Sequence, residues 1–224
     1  MRLAMEWRGK PARSMRQAID ADARTTGSRS ARVRGWLAWA GTAALAAPTA
    51  VVLHELGHFV AAKSFGFPGV VLHYGSVSHR GAETGAPPWQ TGLQAAAGPL
   101  VTLVIVLGCV YAVGRSGPRA LPVAAAFGAG VRSILIGTAY LLTRILHPSA
   151  SGSGNFDELN AARSLGLSPD LLVGLSMTVL LAAWIYLFRS IPPGQRLRTV
   201  SAVALGTIAG LALYIGLLGP TLLP

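Results

Sequence analysis

Two histidines and a glutamate stand together in the sequence HELGH at residues 54–58. On an α-helix, residues four apart lie on one face, so the imidazoles of His54 and His58 can bind one metal ion together. Glu55 lies beside that ion and can take a proton from a water molecule there. The segment therefore predicts a zinc site, Zn²⁺ being the expected cofactor, with hydrolytic chemistry.

The HELGH segment lies in an apolar stretch, because Glu55 is the only charged residue from Gly35 to Ala62. A Glu or His near the centre of a membrane helix costs on the order of 1–3 kcal/mol each. A bound zinc would offset this cost, since structural zinc sites contribute about 10 kcal/mol or more. The alternative, that both histidines are satisfied core residues without a metal, leaves the cost unexplained.

The composition indicates a membrane protein. Of the 224 residues, 52% are hydrophobic and only 12% are charged, a balance too apolar for a soluble domain of this size. The segment 66–89 is rich in Gly and Pro and encloses Val70–Val77, a run with strand character. We predict an all-α, polytopic transmembrane helical bundle of about five spans, with a short β-hairpin after the first span. The predicted spans are residues 35–62, 90–114, 121–143, 171–188 and 200–218.

Two local signals concern the last two spans. The run Ser168-Pro169-Asp170 predicts a helix start, with Ser as the cap and Pro at the first position. Gly206 and Gly210 are a pair of small residues suited to close helix packing, either within the monomer or in a dimer. The oligomeric state is not predicted from the sequence.

The positive charge is concentrated at the start of the chain. The net charge is +11, and nine of the 19 Lys and Arg residues lie in residues 1–34. We predict a disordered basic tail over 1–34, with a short helix around Met15–Ala23, followed by a transmembrane domain over 35–224. The tail has one Trp, no Tyr or Phe and no nucleic-acid module, so contact with the lipid bilayer is favoured and nucleic acid is not an expected partner. The charge bias predicts a multi-pass protein of the cell (plasma) membrane with a cytoplasmic N-terminus.

A catalytic zinc usually takes three protein ligands, and HELGH supplies two. The polar segment 147–169 follows two further crossings, so it returns to the side of the membrane on which HELGH lies. Within it Asp157 is the favoured third ligand and Glu158 the runner-up, although Asp157 as the cap of a short helix ending at Leu165 is an alternative. Weaker rivals are His73, His79 and His147.

The chain resembles the site-2 protease family of intramembrane zinc metalloproteases. The resemblance covers about residues 45–165: HELGH in a first core span, the run Ala96-Ala97-Gly98-Pro99 in the next, and an acidic residue after a Gly-rich break. It implies that the two HELGH histidines and Asp157 bind zinc. It also implies that Glu55 is the catalytic acid/base and that a transmembrane protein is the substrate.

The chain departs from the family pattern at several points. Thr102 stands where many members have Asn, and Glu158 follows Asp157 where many have Gly. The loops leave no room for an inserted soluble domain such as a PDZ domain. The departures place the chain among minimal, divergent members. Family members commonly open their site toward the cytoplasm, whereas the charge bias here favours the opposite side.

Further polar residues are candidates for substrate contacts. Asn155 and Asn160 are candidate donors to the substrate or the developing oxyanion, with helix capping as the alternative. The strand-like run is expected either to pair with an extended substrate or to pack as a plain loop. Arg132 is a charge within the third span, so it either pairs with a carboxylate or water, or lies near the interface because the span begins later.

Two other functions are compatible with the sequence. A catalytically inactive metal-binding membrane module, or pseudoprotease, would bind partner helices without cleaving them. A small transporter would show inverted repeats, and no clear internal repeat is found. The complete catalytic set favours an intramembrane zinc metalloendopeptidase that hydrolyses peptide bonds of membrane-embedded substrates.

Overall fold

The computed structural model describes residues 11–80, 85–147 and 155–223, with side chains from residue 30 onward. The elements, in chain order, are α1 Pro11–Ser64, β1 Val71–His73, β2 Ser76–Ser78, α2 Pro88–Ser116, α3 Ala120–Leu146, α4 Asp157–Leu165, α5 Pro169–Ser190, α6 Arg196–Leu213 and α7 Gly219–Leu222. A 3-10 turn, Pro193–Gln195, precedes α6, and a π-helical turn, Tyr214–Leu218, joins α6 to α7.

Within the described residues, five helical segments are long and apolar enough to cross a membrane. Their outward surfaces carry exposed apolar side chains such as Val104, Leu171 and Leu205, which a lipid environment would cover. The predicted five-span helical bundle with one small hairpin is therefore confirmed. The five segments are Ser30–Ser64, Pro88–Ser116, Ala120–Leu146, Pro169–Ser190 and Pro193–Leu222.

The chain divides into two compact units, Met1–Ala38 and Trp39–Pro224. Residues 11–34, for which the sequence predicted a basic tail with a short helix around Met15–Ala23, belong to helix α1. Good helix formers such as Ala, Arg, Met and Gln recur along this stretch, which agrees with a helix longer than the predicted one.

Helix α6 packs against α1 through the two predicted glycines. A Cβ at Gly206 would overlap the backbone carbonyl of Ala40, and a Cβ at Gly210 would overlap that of Ala44. Such close backbone approach is available only to residues without a side chain. The packing of this pair lies within the monomer, which was one of the two alternatives.

The hairpin of β1 and β2 is held to the C-terminal end of the chain. Its register pairs Leu72 with Val77 across a two-residue turn. The turn residue Tyr74 accepts a hydrogen bond at its carbonyl from the Tyr214 hydroxyl, over 2.8 Å. The Tyr74 N–H donates to the Leu223 carbonyl, over 3.2 Å. These two contacts fix the hairpin against the end of the last span.

The start of α5 follows its predicted signal. The helix begins at Pro169, and the Ser168 hydroxyl accepts a hydrogen bond of 3.4 Å from the backbone N–H of Leu171. Helix α4 lies just before this start, inside the predicted polar break. Residues of this segment and of the hairpin line the same cavity, so the segment brings the chain back to the end of the bundle that carries the hairpin.

We expect Gly206→Ala to destabilise the folded protein by about 1–3 kcal/mol, because the added methyl group must push α6 away from α1. Thermal unfolding in detergent measures the effect. Gly174→Ala in α5 is the control, since a Cβ there meets no other part of the described chain within 4 Å. A melting temperature of Gly206→Ala equal to that of the control would contradict the close contact.

Candidate metal centre

Helix α1 places the HELGH side chains in the interior of the bundle. His54, Glu55 and His58 are 6%, 3% and 4% exposed. Gly57, between them, allows α2 to approach, because a Cβ there would lie 2.8 Å from the carbonyl oxygen of Ala97. The one-turn spacing of the histidines and the small residue between them together bring both imidazoles against α2.

Helix α4 brings Asp157 to the same place. Phe156 and Leu159 are buried and pack with Val173 and Met177 of α5, which anchors the start of α4. Asp157 is the first residue of the helix, and the residue at its N-cap is Phe156, which offers no side-chain cap. The alternative in which Asp157 serves as the helix cap is therefore wrong.

Three ligand atoms converge between α1 and α4. The Oδ2 atom of Asp157 lies 3.0 Å from Nε2 of His54 and 3.5 Å from Nε2 of His58. The two Nε2 atoms are 3.2 Å apart. Tetrahedral zinc with bonds of about 2.0–2.2 Å separates its ligand atoms by about 3.3–3.6 Å. One side of the triangle falls in this range and the other two are slightly shorter, so this buried group could hold a metal ion.

The hydrogen bonds at the other ring nitrogens orient both imidazoles. Nδ1 of His58 lies 2.8 Å from the carbonyl oxygen of Gln94, which can only accept, so this nitrogen carries the proton. In the neutral imidazole, which is the form that binds a metal ion, Nε2 of His58 then presents its lone pair toward His54 and Asp157. Nδ1 of His54 lies 2.9 Å from the hydroxyl of Thr102. A partner on the second ring nitrogen is the usual arrangement for a metal-binding histidine.

Gly98 leaves the space in which the ligand atoms meet. A Cβ at this position would lie 2.6 Å from Nε2 of His54 and closer still to Nε2 of His58. Any side chain at residue 98 would therefore overlap both ligand atoms. This gives a physical reason for a glycine at the Gly98-Pro99 step, and the residues present fit a bound divalent ion.

The charges around the ligands favour an ionised Asp157. Burial raises the pKa of its carboxyl group, but the adjacent His54 and His58 imidazoles and the Arg132 guanidinium outweigh this and hold the pKa well below its usual range. Metal ligation requires the carboxylate form, which is therefore available at neutral pH. Glu55 is not in the ligand triangle, and its Oε1 atom lies 3.4 Å from Nη1 of Arg132.

A polar cavity of about 260 Å³ opens beside the ligand triangle. Asn155 and Asn160, the candidate substrate donors, both line it, and the Asn160 amide donates to Oδ1 of Asn155 over 2.8 Å. The hairpin contributes to the same wall. The cavity is further lined by Glu55, His58, Gly75, Ser76, Val77, His79, Gln94, Ala95, Arg132, Phe156 and Asp157.

The rival ligands lie elsewhere. Glu158 is buried on α4 but does not belong to the converging group. His73 contacts the Ser78 hydroxyl on the hairpin, and His147 follows the end of α3 at the surface. His79 lines the cavity without joining the triangle.

Sequence reasoning missed the roles of three residues. Arg132 pairs with carboxylates in the centre, which was one of its two alternatives, but its position against the metal ligands had not been predicted. Thr102 had been noted only as a departure from the family pattern. Gln94 acts through its backbone carbonyl, for which a sequence carries no signal.

Comparisons of the chain with protein-family models, curated proteins and solved structures found no match.

We expect the wild-type protein to bind one zinc ion per chain, and Asp157→Ala and His58→Ala to lose it, because each removes one vertex of the triangle. The number of zinc ions per chain is measured by mass spectrometry after dialysis against a weak chelator. Glu158→Ala is the matched control, since it removes the neighbouring carboxylate outside the triangle. Full zinc in Asp157→Ala, or its loss in Glu158→Ala, would assign the third ligand differently.

Proposed function

We propose that this protein is an intramembrane zinc metalloendopeptidase of the site-2 protease type. The observation that carries the proposal is a buried triangle of two imidazoles and one carboxylate with a further carboxylate, Glu55, beside it at a polar cavity. Three protein ligands with an open position are typical of catalytic zinc, whereas structural zinc usually has four. The resemblance of HELGH and Gly98-Pro99 to the family supports the same reaction.

A zinc ion at this position would polarise a peptide carbonyl and make a water molecule more acidic. Glu55 accepts the proton of the attacking water at its carboxylate and returns it to the leaving amine. General acid–base steps of this kind contribute about 10²–10⁴-fold to the rate. The second ring nitrogens of His54 and His58, held by Thr102 and Gln94, keep both imidazoles in place during the reaction.

The cavity offers groups that can hold an extended peptide. The side-chain amide of Asn155 and the second N–H of the Asn160 amide, whose other N–H donates to Asn155, can donate to a substrate carbonyl. Strand β2 of the hairpin lines the same cavity. Since His73 and Ser76 flank the two-residue turn as the hydrogen-bonded pair, Leu72 and Val77 form the non-hydrogen-bonded pair. The backbone N–H and C=O of Val77 therefore point away from β1 and can pair with an added strand.

The expected substrates are transmembrane proteins with a single span, such as membrane-tethered regulators or remnant signal peptides. The five apolar helices fit a multi-pass membrane protein. In a five-span topology, counting crossings along the sequence assigns the arginines at the ends of the second and fourth spans to the same side of the membrane as the basic N-terminal residues. We therefore propose a cell-membrane location with the N-terminus in the cytoplasm and the site toward the opposite face.

We expect Glu55→Gln to abolish cleavage, a loss of about 10²-fold or more, while one zinc remains bound, because Gln cannot accept the proton. New termini within single-span membrane proteins are quantified by mass spectrometry in cells that express the wild type or Glu55→Gln. Arg144→Gln, remote from the cavity on α3, is the control for expression. Identical termini in all three strains would favour the inactive metal-binding module.

We expect Val77→Pro to reduce cleavage of a substrate identified in this way about tenfold, because proline removes the N–H that would pair with the substrate strand. Leu72→Pro is the matched control. Leu72 is the cross-strand partner of Val77, and the outward-pointing N–H and C=O groups of Leu72 lie on the other edge of the hairpin. Zinc content checks the integrity of both variants. Equal cleavage by the two variants would argue for a plain packing role of the hairpin.

A further inference from the structure

Arg132 of α3 lies against the metal ligands rather than beside a single carboxylate. Its Nη1 atom is 2.7 Å from Nε2 of His54 and 3.2 Å from Oδ2 of Asp157. The third neighbour, Oε1 of Glu55, is more distant at 3.4 Å. The two closest contacts of this guanidinium nitrogen are therefore two of the three atoms that form the metal triangle.

The contact with His54 excludes a metal bond at the same atom. A guanidinium group has donors only, so Nε2 of His54 must be the acceptor. An imidazole nitrogen has one lone pair in the ring plane. That lone pair can accept the Arg132 hydrogen bond or bind a metal ion, but it cannot do both.

We propose that Arg132 is an internal cation that competes with the metal ion for His54 and Asp157 and thereby sets the metal affinity of the centre. The proposal rests on the metal-binding part of the proposed function and not on peptide hydrolysis. In the metal-free protein the guanidinium balances the charge of the buried Glu55 carboxylate and of the half-buried Asp157 carboxylate. The metal ion takes over this role when it binds.

The structure offers Arg132 a position away from the ligands. Its side chain is 38% exposed and lines the cavity of about 260 Å³. The guanidinium can move into this space while it keeps Glu55 as its partner. The exchange then requires no movement of α3.

Zinc affinity in the wild type, Arg132→Gln and Arg132→Met tests the proposal. Purified protein in detergent competes for Zn²⁺ with a chelator of known affinity at fixed pH. We expect both variants to bind zinc about 10–100-fold more tightly, the factor that corresponds to losing one hydrogen bond from a charged donor in the metal-free state. Arg144→Gln is the matched control: this arginine of the same helix pairs with Asp170, with Nη2 3.2 Å from Oδ2, and its loss should leave the affinity unchanged.

A second readout does not depend on the chelator. Without Arg132 the metal-free protein loses the guanidinium that pairs with the carboxylates of Glu55 and Asp157, so its melting temperature in chelator should fall below that of the wild type. The rise in melting temperature upon addition of zinc should be larger in both Arg132 variants. Arg132→Met introduces no unpaired amide, so both measurements can be made on this variant if Arg132→Gln does not fold.

The following outcomes would contradict the proposal that Arg132 competes with the metal ion. Zinc affinity equal to that of the wild type would show that Arg132 does not occupy the ligand atoms. Weaker binding would assign Arg132 to positioning Asp157 in the metal-bound centre. A wild type that binds no zinc, with Arg132 variants that also bind none, would overturn the metal centre itself. By contrast, tighter binding in the variants together with absent proteolysis would contradict only the proposed enzymatic activity.

Discussion

The interaction on which the structure depends is the mutual satisfaction of ionisable groups inside an apolar bundle. Two carboxylates, two imidazoles and one guanidinium meet where α1, α3 and α4 approach each other, and an isolated charge there would cost several kcal/mol. Each group has a partner within this cluster or on α2. A centre of this kind holds the helices in one arrangement, because sliding α3 or α4 by one residue would leave a buried charge unpaired. Stability and the capacity to bind a metal thus have the same origin.

Close approach of the helices is what allows the cluster to form, and glycine provides it. Gly57 and Gly98 lie on facing surfaces of α1 and α2, one against a backbone carbonyl and the other against the imidazole ligand atoms. Gly206 and Gly210 draw α6 onto α1 in the same way. Outside these contacts the spans carry large apolar side chains whose exact identity matters less, since lipid accepts any of them. Gly57 and Gly98 thus fix the distance between α2 and the ligands, whereas Gly206 and Gly210 fix the packing of α6 on α1.

The sequence predicted the parts of the centre that follow from periodicity and from crossing number. The one-turn spacing of His54 and His58 depends only on helix geometry, and Asp157 followed from counting spans to find which polar segment returns to the same side. The contact of Arg132 with the ligands could not be predicted in this way, because it depends on how α3 is rotated about its own axis. The carbonyl of Gln94 is a backbone group, which every residue has. Helix α1 includes residues 11–34 and so extends beyond the short helix predicted around Met15–Ala23, because local helix propensity there outweighs the charge density on which the prediction of a tail was based.

The arrangement of irregular elements agrees with the chemistry that hydrolysis in a membrane requires. Non-helical backbone within a bilayer is tolerated only where it is buried in protein or lines water. Here the hairpin and the start of α4 border the same polar cavity, and the ligand triangle lies at its edge. A helical substrate has its own backbone groups paired and must be unwound before a carbonyl can be attacked. In the proposed protease, an edge strand next to the ligands would offer replacement hydrogen bonds to the unwound segment and would offset the cost of unwinding at the place where the bond is cut. Water, an extended backbone and a general base would then meet within one cavity, while the surrounding helices remained in contact with lipid.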